Sequence, residues 1–462
     1  MKFKYLLPIL FLGAWLLVNS QLVRSDGLTF DEPIHLKAGH LFNQGIYSFD
    51  PMETPLIRSL VARAGDYNRL VIITLTGLLL IYVSYFINHK SRLIFYFLAL
   101  TEANLLAHGH LFTTDLISTL FAFIFFLHIS RDRPNKYLTF TFFALSLASK
   151  VATLAFVFPV SLIYFKKFNL SVWLTSALCS LIFIWSTYGF TFLPIFNRSD
   201  TIYPLGGYLR TIKENILFSL RGQPIYFLDQ IYQKAPWWKT SLILLIKVPF
   251  PLILMFLFTV KKNLNKKIFL VFFFYLFIQT FKSLNFGIRH LLLIDLALIY
   301  MISNSSPLSS RAKQSEVRSK IPFMGRSLHS SRDDRSVVML VFLFLELGLF
   351  VKNYPNFIPF TNPYIPHKEL IISDSDLDWG QGLPAVSDFV LKEDILNYQL
   401  AYFGTDTPSK YLSNFTPVTD AIDLNKPIFI GATCLHTCNL QNLDQLKKKS
   451  YTLVGGSILY FP

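Results

Sequence analysis

Long apolar runs alternate with short polar breaks along most of this chain. Leu70–Ile87, Val172–Phe192 and Ser241–Val260 are each of a length to cross a bilayer as a helix. The same pattern predicts about eleven crossings, at 5–22, 69–87, 93–107, 112–130, 137–149, 151–165, 171–192, 241–260, 268–282, 288–303 and 337–352. The pair 137–149 and 151–165 is short for an apolar core about 30 Å thick. It reads as a tilted hairpin with Lys150 at its apex. The first run has the basic start and apolar middle of a secretory signal, but no small-x-small site closes it. It reads as a retained helix.

Beyond residue 352 the pattern changes. Strand-like LIIS, YQLAYFG, PIFIGAT and YTLVGGSILYF are interspersed with helix-like GLPAVSDFVLKE and LDQLKKK. This predicts a small α/β domain over 353–462, following a membrane domain over 1–352 with large loops at 24–68 and 193–240. The expected fold class is a multi-pass α-helical membrane protein with a small C-terminal extracytoplasmic α/β domain.

Composition strengthens this reading. The 462 residues are 52% hydrophobic and only 15% charged, too apolar for a soluble chain. The net charge of +15 could suggest nucleic acid, but its distribution does not. Basic residues gather in the breaks His89-Lys90-Ser91-Arg92, Arg131-Asp132-Arg133, Lys166-Lys167, Lys261-Lys262 with Lys266-Lys267, and the Ser-rich stretch Arg311–Arg335, which reads as a mobile loop. They fit cytoplasmic loops and anionic headgroups. With Lys2 and Lys4 inside, the crossings alternate with no register shift. The outer face then receives 24–68, the turn near His108–Leu111, Lys150, 193–240, the start of 288–303 and the whole tail. Such a chain belongs in the cytoplasmic (inner) membrane. Cys179 lies within an apolar run. Cys434 and Cys438 lack further ligands for zinc, and either a disulfide or two thiols fits them.

That topology sorts the polar residues, because most of the unusual ones fall on the outer face. In TFDEPIH, Thr29 and Glu32 have the spacing of a capping box, which accounts for one carboxylate but leaves Asp31 unexplained. On a helix Asp31 and His35 share a face, and an aspartate there suits activation of a hydroxyl. In DPMETPL, Glu53 fits a solvated turn as well as a site. In LLAHGHLFTTD, Asp115 lies at the outer end of a crossing, where a carboxylate either caps the helix or serves a site. Arg289 and His290 begin another crossing. An outer arginine runs against the positive-inside trend and suits bidentate phosphate binding; Lys150 would supply a second cation. In SDSDLDWGQGLP an EF-hand is excluded, since Trp379 and Ala385 stand where glycine and glutamate are required. Asp378 and Trp379 fit a strand-to-helix turn, and equally a sugar contact with the indole as a flat platform.

In order, FDEPIH, METPL, LLAHGHLFTTD, LASKVATL, GIRHLL, SDSDLDWGQGLP and AYFGTDTPSKYL resemble the bacterial membrane glycosyltransferases of family 39. These are relatives of protein O-mannosyltransferases and lipid A aminoarabinose transferases in the C-type glycosyltransferase superfamily. The resemblance covers most of the chain. It implies a polyprenyl-phosphate sugar donor, a hydroxyl acceptor on a protein, lipid or glycan, and inversion at the anomeric carbon. It makes Asp31 the general base, with Glu32 assisting. His35, Glu53, Asp115, Lys150, Arg289, His290, Asp378 and Trp379 become substrate-binding candidates, with the cations on the lipid phosphate. If a divalent metal takes part, Asp31, Glu53 or His35 would hold it. The chain departs from the family wording at Thr54, in place of the first proline of E-x-P-P-L, and in the tail, where Asp376 replaces Asn and Gly382 the final Asp. The rival expectation is a transporter or flippase of a lipid-linked substrate, which would carry charges at mid-helix and inverted repeats. A binding protein whose tail grips glycan is a third, and gives no reason for the Asp31-Glu32 pair.

Overall fold

The computed structural model describes residues 3–196, 201–259, 266–282, 287–305 and 330–462. The basic breaks at Lys261-Lys262 and over most of Arg311–Arg335 lie outside the described residues.

The apolar runs form helices. They are α1 (Phe3–Ser25), α2 (Glu32–Asn43) and α3 (Pro55–Ala62) in the first large loop, α4 (Asn68–Ser84), α5 (Arg92–Thr101), α6 (Ala103–Gly109), α7 (Asp115–Ile129), α8 (Lys136–Ser149), α9 (Leu154–Ile163), α10 (Leu170–Thr187), α11 (Gly206–Arg221), α12 (Lys239–Lys247), α13 (Phe250–Thr259), α14 (Lys266–Thr280), α15 (Leu292–Ser305) and α16 (Ser330–Asn353). Leu6–Ser25, Gly65–Ser84, Leu170–Thr187 and Asp334–Asn353 are long and apolar enough to cross a membrane. Asp115–Ile129, Val151–Ile163, Lys267–Thr280 and Leu292–Ser305 are shorter apolar helices.

Each run expected to cross has a helix, yet two of the runs are not single helices. The run 93–107 breaks at Glu102, which is extended and accepts from the backbone N–H groups of Asn104 (3.0 Å) and Leu105 (2.6 Å). The carboxylate thus caps the second half. The run 241–260 bends by 98° between α12 and α13. Val248, ahead of Pro249, is driven out of the helical region. Asn362 fills the gap, accepting from Phe250 N and donating to Leu245 O and Val248 O. The two breaks face each other, with Asn104 Nδ2 donating to Lys247 O at 3.0 Å.

In the first loop, α2 and α3 cross at Gly39, where a Cβ would lie 2.3 Å from the Arg58 carbonyl oxygen. Thr54 is extended and Pro55 opens α3, so the missing first proline leaves the helix start intact. The second large loop carries hairpins β1 (Leu193–Pro194) with β2 (Ile202–Tyr203), and β3 (Ile225–Phe227) with β4 (Gln230–Tyr232). The turn of the latter holds Leu228 and Asp229 at positive φ, a strained choice for both residues. Their N–H groups donate to Ile371 O and Leu370 O, which ties this loop to the tail.

After α16 the tail builds a five-stranded sheet from β5 (Tyr398–Ala401), β6 (Phe415–Pro417), β7 (Ile428–Gly431), β8 (Thr452–Val454) and β9 (Ile458–Phe461), in the order β6-β5-β7-β9-β8. Helix α17 (Leu383–Lys392) packs against it, with Leu383 and Val386 buried beside Phe429 and Ile458. The small α/β sheet expected from the pattern is present. LIIS is not one of its strands; 368–370 is a helical turn, and its carbonyls serve the β3–β4 turn instead. Helix α18 (Ala432–Thr437) follows β7, and Cys434 and Cys438 are disulfide-bonded across it.

Candidate active site

The two adjacent acids of the first loop point in different directions. Glu32 opens α2 and is buried. Its Oε1 accepts from Thr29 N, Thr29 Oγ1 and Arg69 Nη2 (2.6 Å), and its Oε2 from Arg69 Nε and Phe112 N. Burial alone would raise its pKa, but the Arg69 charge and these bonds bring it below the ordinary carboxylate range. With five donors upon it, the carboxylate has no lone pair left for an acceptor hydroxyl. It is a buckle between the first loop, α4 and the turn before α7. Half of the expected capping box forms: Glu32 accepts from Thr29 N, while the Thr29 hydroxyl donates to the same carboxylate and caps no backbone N–H.

Asp31 makes no capping bond. Its carboxylate turns to Arg289, with Oδ2 2.6 Å from Nη1, and stays 26% exposed. From there a chain of opposite charges runs through the site. Arg289 Nη1 is 3.9 Å from Asp115 Oδ2, Asp115 Oδ1 is 2.5 Å from Lys150 Nζ, and Lys150 Nζ is 3.5 Å from Glu53 Oε1. Thr114 Oγ1 donates to Glu53 Oε2 at 3.2 Å. Five candidates taken from five separate stretches therefore form one cluster. Lys150 stands between α8 and the one-turn helix 151–153, at the apex of the hairpin.

The tail reaches this cluster. The loop before α17 lies under the turn that carries Arg289. Gly287 has φ +74, and a Cβ there would collide with the Asp376 carboxylate; that carboxylate accepts from Ile288 N at 2.8 Å. The Arg289 guanidinium lies 4.5 Å from the centre of the Trp379 ring, a cation–π contact. Trp379 is almost fully buried, so it backs the arginine and presents no open platform to a sugar. Asp378 is buried as well and does not reach the cluster. Its carboxylate accepts from Thr433 N and Gly380 N, and burial pushes its pKa up to about 7. Asp376, which replaces the family's Asn, does the work at the interface. The same loop is stitched to the first one: Gly27 N donates to Gln381 O and Phe30 N to Trp379 O.

Below the charges a cavity opens between α7, α9, α14 and α15. Asp115, Lys150, Arg289, His290, Tyr275 and Gln279 line it, and so do Ala122, Phe156 and Leu293. Tyr275 Oη donates to the His290 carbonyl. His35 is buried against Phe112 on the other side. Desolvation, with the charge of Arg58, holds it well below the ordinary histidine range, so it is neutral.

Two solved structures share this arrangement of helices and tail: crystal structures of ArnT from Cupriavidus metallidurans, one bound to undecaprenyl phosphate and one in the apo state. The TM-scores are 0.51 and 0.50, with 8% sequence identity, over 98% of this chain and 97% of each neighbour. The chain has the ArnT fold. No protein-family model and no curated protein sequence matches it.

On the ArnT fold these residues include no preformed metal centre. Among the described residues no three His, Cys, Asp or Glu side chains are grouped to hold an ion; Asp31, Glu53 and His35 form no such group. Glu53 and Asp115 are drawn to Lys150, and Asp31 to Arg289.

Several partners escaped the sequence reading. Arg69 opens a crossing just as Arg289 does, and the same argument from an outer arginine would have found it. Arg58, paired with Asp50 at 2.8 Å, lies on α3 and carried no such signal. Lys247 donates to Ile358 O and Asp376 O, a role set by a helix break that the apolar pattern hides.

Proposed function

We propose that this chain is an integral-membrane glycosyltransferase of the family 39 type. It moves a sugar from a polyprenyl phosphate to a hydroxyl of a protein, lipid or glycan, with inversion, on the extracytoplasmic side of the cytoplasmic membrane. Residues 1–352 are the membrane domain and 353–462 the outer domain. One observation carries the reading. The cavity is lined both by the polar Lys150, Arg289 and His290 and by the apolar Ala122, Phe156 and Leu293. A substrate with a charged phosphate on a greasy tail suits both kinds of lining, and undecaprenyl phosphate, the ligand of one ArnT structure, is of that kind.

The chemistry follows from the charge chain. When the donor phosphate enters, Arg289 exchanges Asp31 for phosphate oxygens, which frees the aspartate to accept a proton. Asp31 takes the hydrogen of the acceptor hydroxyl. The acceptor oxygen bonds to the anomeric carbon from the face opposite the phosphate. The bond from that carbon to the phosphate oxygen breaks, and its electron pair leaves with the lipid phosphate, where Lys150 and Arg289 meet the charge. Asp115 and Glu53 hold Lys150 in place. Trp379 and Asp376 do the same for Arg289.

The test is transfer of labelled sugar from a panel of polyprenyl-phosphate sugars into membranes. Asp31→Asn should lower transfer by about 10²- to 10⁴-fold with little change in the thermal midpoint. Full activity in that variant would remove Asp31 as the base. A second reading, movement of a lipid-linked substrate across the membrane, draws on the fully buried acids Glu102, Asp295 and Glu346. It predicts lipid translocation by the protein in vesicles with no change in the sugar's attachment.

A further inference from the structure

A second cavity lies away from the charge chain, in a groove between α8 and α10. Its volume is about 610 Å³, within the usual span of small-molecule sites, about 300–1,000 Å³. Lys136, Phe140, Ala144 and Leu145 line it from α8, and Ser171, Thr175 and Phe183 from α10. Helix α10 is long and apolar enough to cross a membrane. Leu174 and Leu178, each three positions from Ser171 or Thr175 on its surface, are exposed. The groove therefore opens towards the hydrocarbon of a bilayer.

One end of this groove is cationic. Lys136 opens α8, and Ser171 lies in the first turn of α10. The two helix starts are held side by side. Lys167 Nζ donates to Arg131 O at 2.7 Å, and the Phe140 ring meets Trp173 edge-on at 5.1 Å. The breaks ahead of them, 131–136 and 165–169, hold Arg131, Arg133, Lys136, Lys166 and Lys167 against one acid, Asp132. Two helix N-termini add partial positive charge at the same end. No carboxylate lines the groove. Among the described residues Lys136 forms no ion pair; its ammonium lies 5.0 Å from the centre of the neighbouring Tyr137 ring.

We propose that this groove binds one anionic phospholipid, with the phosphate on Lys136 and the Ser171 hydroxyl and one acyl chain along Phe140, Ala144, Leu145 and Phe183. Thr141 and Thr175 line the groove one turn on from Tyr137 and Ser171. That is about 5 Å deeper, a depth suited to the ester oxygens of such a lipid. A basic pocket between membrane helices is a known kind of receptor for anionic headgroups. A partner helix would have to bring its own acid to Lys136, whereas a phospholipid carries phosphate and chain in one molecule. Lys136 and Lys150 stand at opposite ends of α8, about 20 Å apart along the helix. This lipid is therefore separate from the proposed sugar donor and lies in the opposite leaflet. The inference does not depend on sugar transfer.

The full-length chain, stripped of lipid in detergent, would be titrated with dioleoylphosphatidylglycerol and with dioleoylphosphatidylcholine, which has the same chains under a headgroup of no net charge. Native mass spectrometry would count the bound lipids. Wild type should retain one phosphatidylglycerol per chain, held roughly 5- to 10-fold more tightly than phosphatidylcholine. Lys136→Gln should remove that preference and change phosphatidylcholine binding little. Thr175→Trp, which fills the groove from α10, should weaken both lipids by a similar factor. Both side chains are exposed, so neither variant should shift the lipid-free thermal midpoint. Lys166→Gln, at the same end but off the groove, should keep most of the preference. Equal losses from Lys136→Gln and Lys166→Gln would mean attraction to a charged surface at large, and the site would be wrong. It would be wrong too if wild type showed no preference for phosphatidylglycerol, or if Thr175→Trp left its binding unchanged. A dimer in detergent that Thr175→Trp splits would give the groove to a second chain instead.

Discussion

Asp31 and Glu32 are adjacent in the chain and divided in labour. The difference lies in what surrounds each carboxylate. Glu32 is buried under five donors, two of them from one side of the Arg69 guanidinium. Asp31 has one partner, part solvent exposure and a route to that partner's release. Replacing Glu32 by Gln strands a buried arginine, and the expected cost is about 3 kcal/mol or more. It should appear as a large drop in thermal midpoint, whereas Asp31→Asn should leave the midpoint nearly unchanged. If Glu32→Gln kept wild-type stability and lost only turnover, the buckle assigned to it would be wrong. The bond from Thr29 N to Glu32 could be read from four consecutive residues, because it is local. Arg69 lies 37 positions away, and no local rule couples it to Glu32. The same limit explains Trp379. An indole beside acids reads as a sugar platform until burial and the overlying Arg289 show which face is covered.

At the level of single elements, the apolar period located a helix for every expected crossing and failed at two interruptions. Both interruptions lie in runs whose hydrophobicity hardly dips, so a pattern that counts apolar positions passes over them. Pro249 marked the second interruption, and Glu102, an acid deep in an apolar run, marked the first. At the first break a carboxylate caps the new helix start. At the second, the side chain of Asn362 stands in for the missing backbone partners with three hydrogen bonds. Asn362→Ala should cost about 1 to 3 kcal/mol, read as a lower midpoint. It should also reduce transfer, since Lys247 beside the bend holds the carbonyls of Ile358 and Asp376. Unchanged stability would mean that water satisfies the bend. In the tail, strands β5, β7, β8 and β9 were legible as short alternating or fully apolar segments. LIIS was misread because its carbonyls pair with a turn from another loop, 140 residues earlier.

Across the whole molecule, the sequence changes pattern near residue 352, but that pattern gave no sign that residues on both sides of it meet at the candidate site. The tail's WGQ loop bonds to Gly27 and Phe30, its Asp406 accepts from Leu28 N, and Thr405 donates to the Phe30 carbonyl. Phe30 stacks on Phe403 at 5.2 Å. The tail is thus a wall of the site that bears on both Asp31 and Arg289. A chain ending at Lys352 should still insert in membranes and should transfer no sugar, measured by protease protection and label incorporation. Activity in that truncated chain would reduce the tail to an accessory. The overall likeness to ArnT at 8% identity fits this picture, since a helical framework tolerates almost any apolar sequence and fixes only the few polar contacts. These stitches also set a clock. The ribosome delivers Asp31 early and Trp379 late, with hundreds of residues between them, which at ordinary synthesis rates is on the order of tens of seconds. Throughout that interval the nascent chain has Asp31 but not the wall that backs Arg289. A stalled or clipped chain is therefore left without one wall of the candidate site, which is complete only once both ends of the same polypeptide have met.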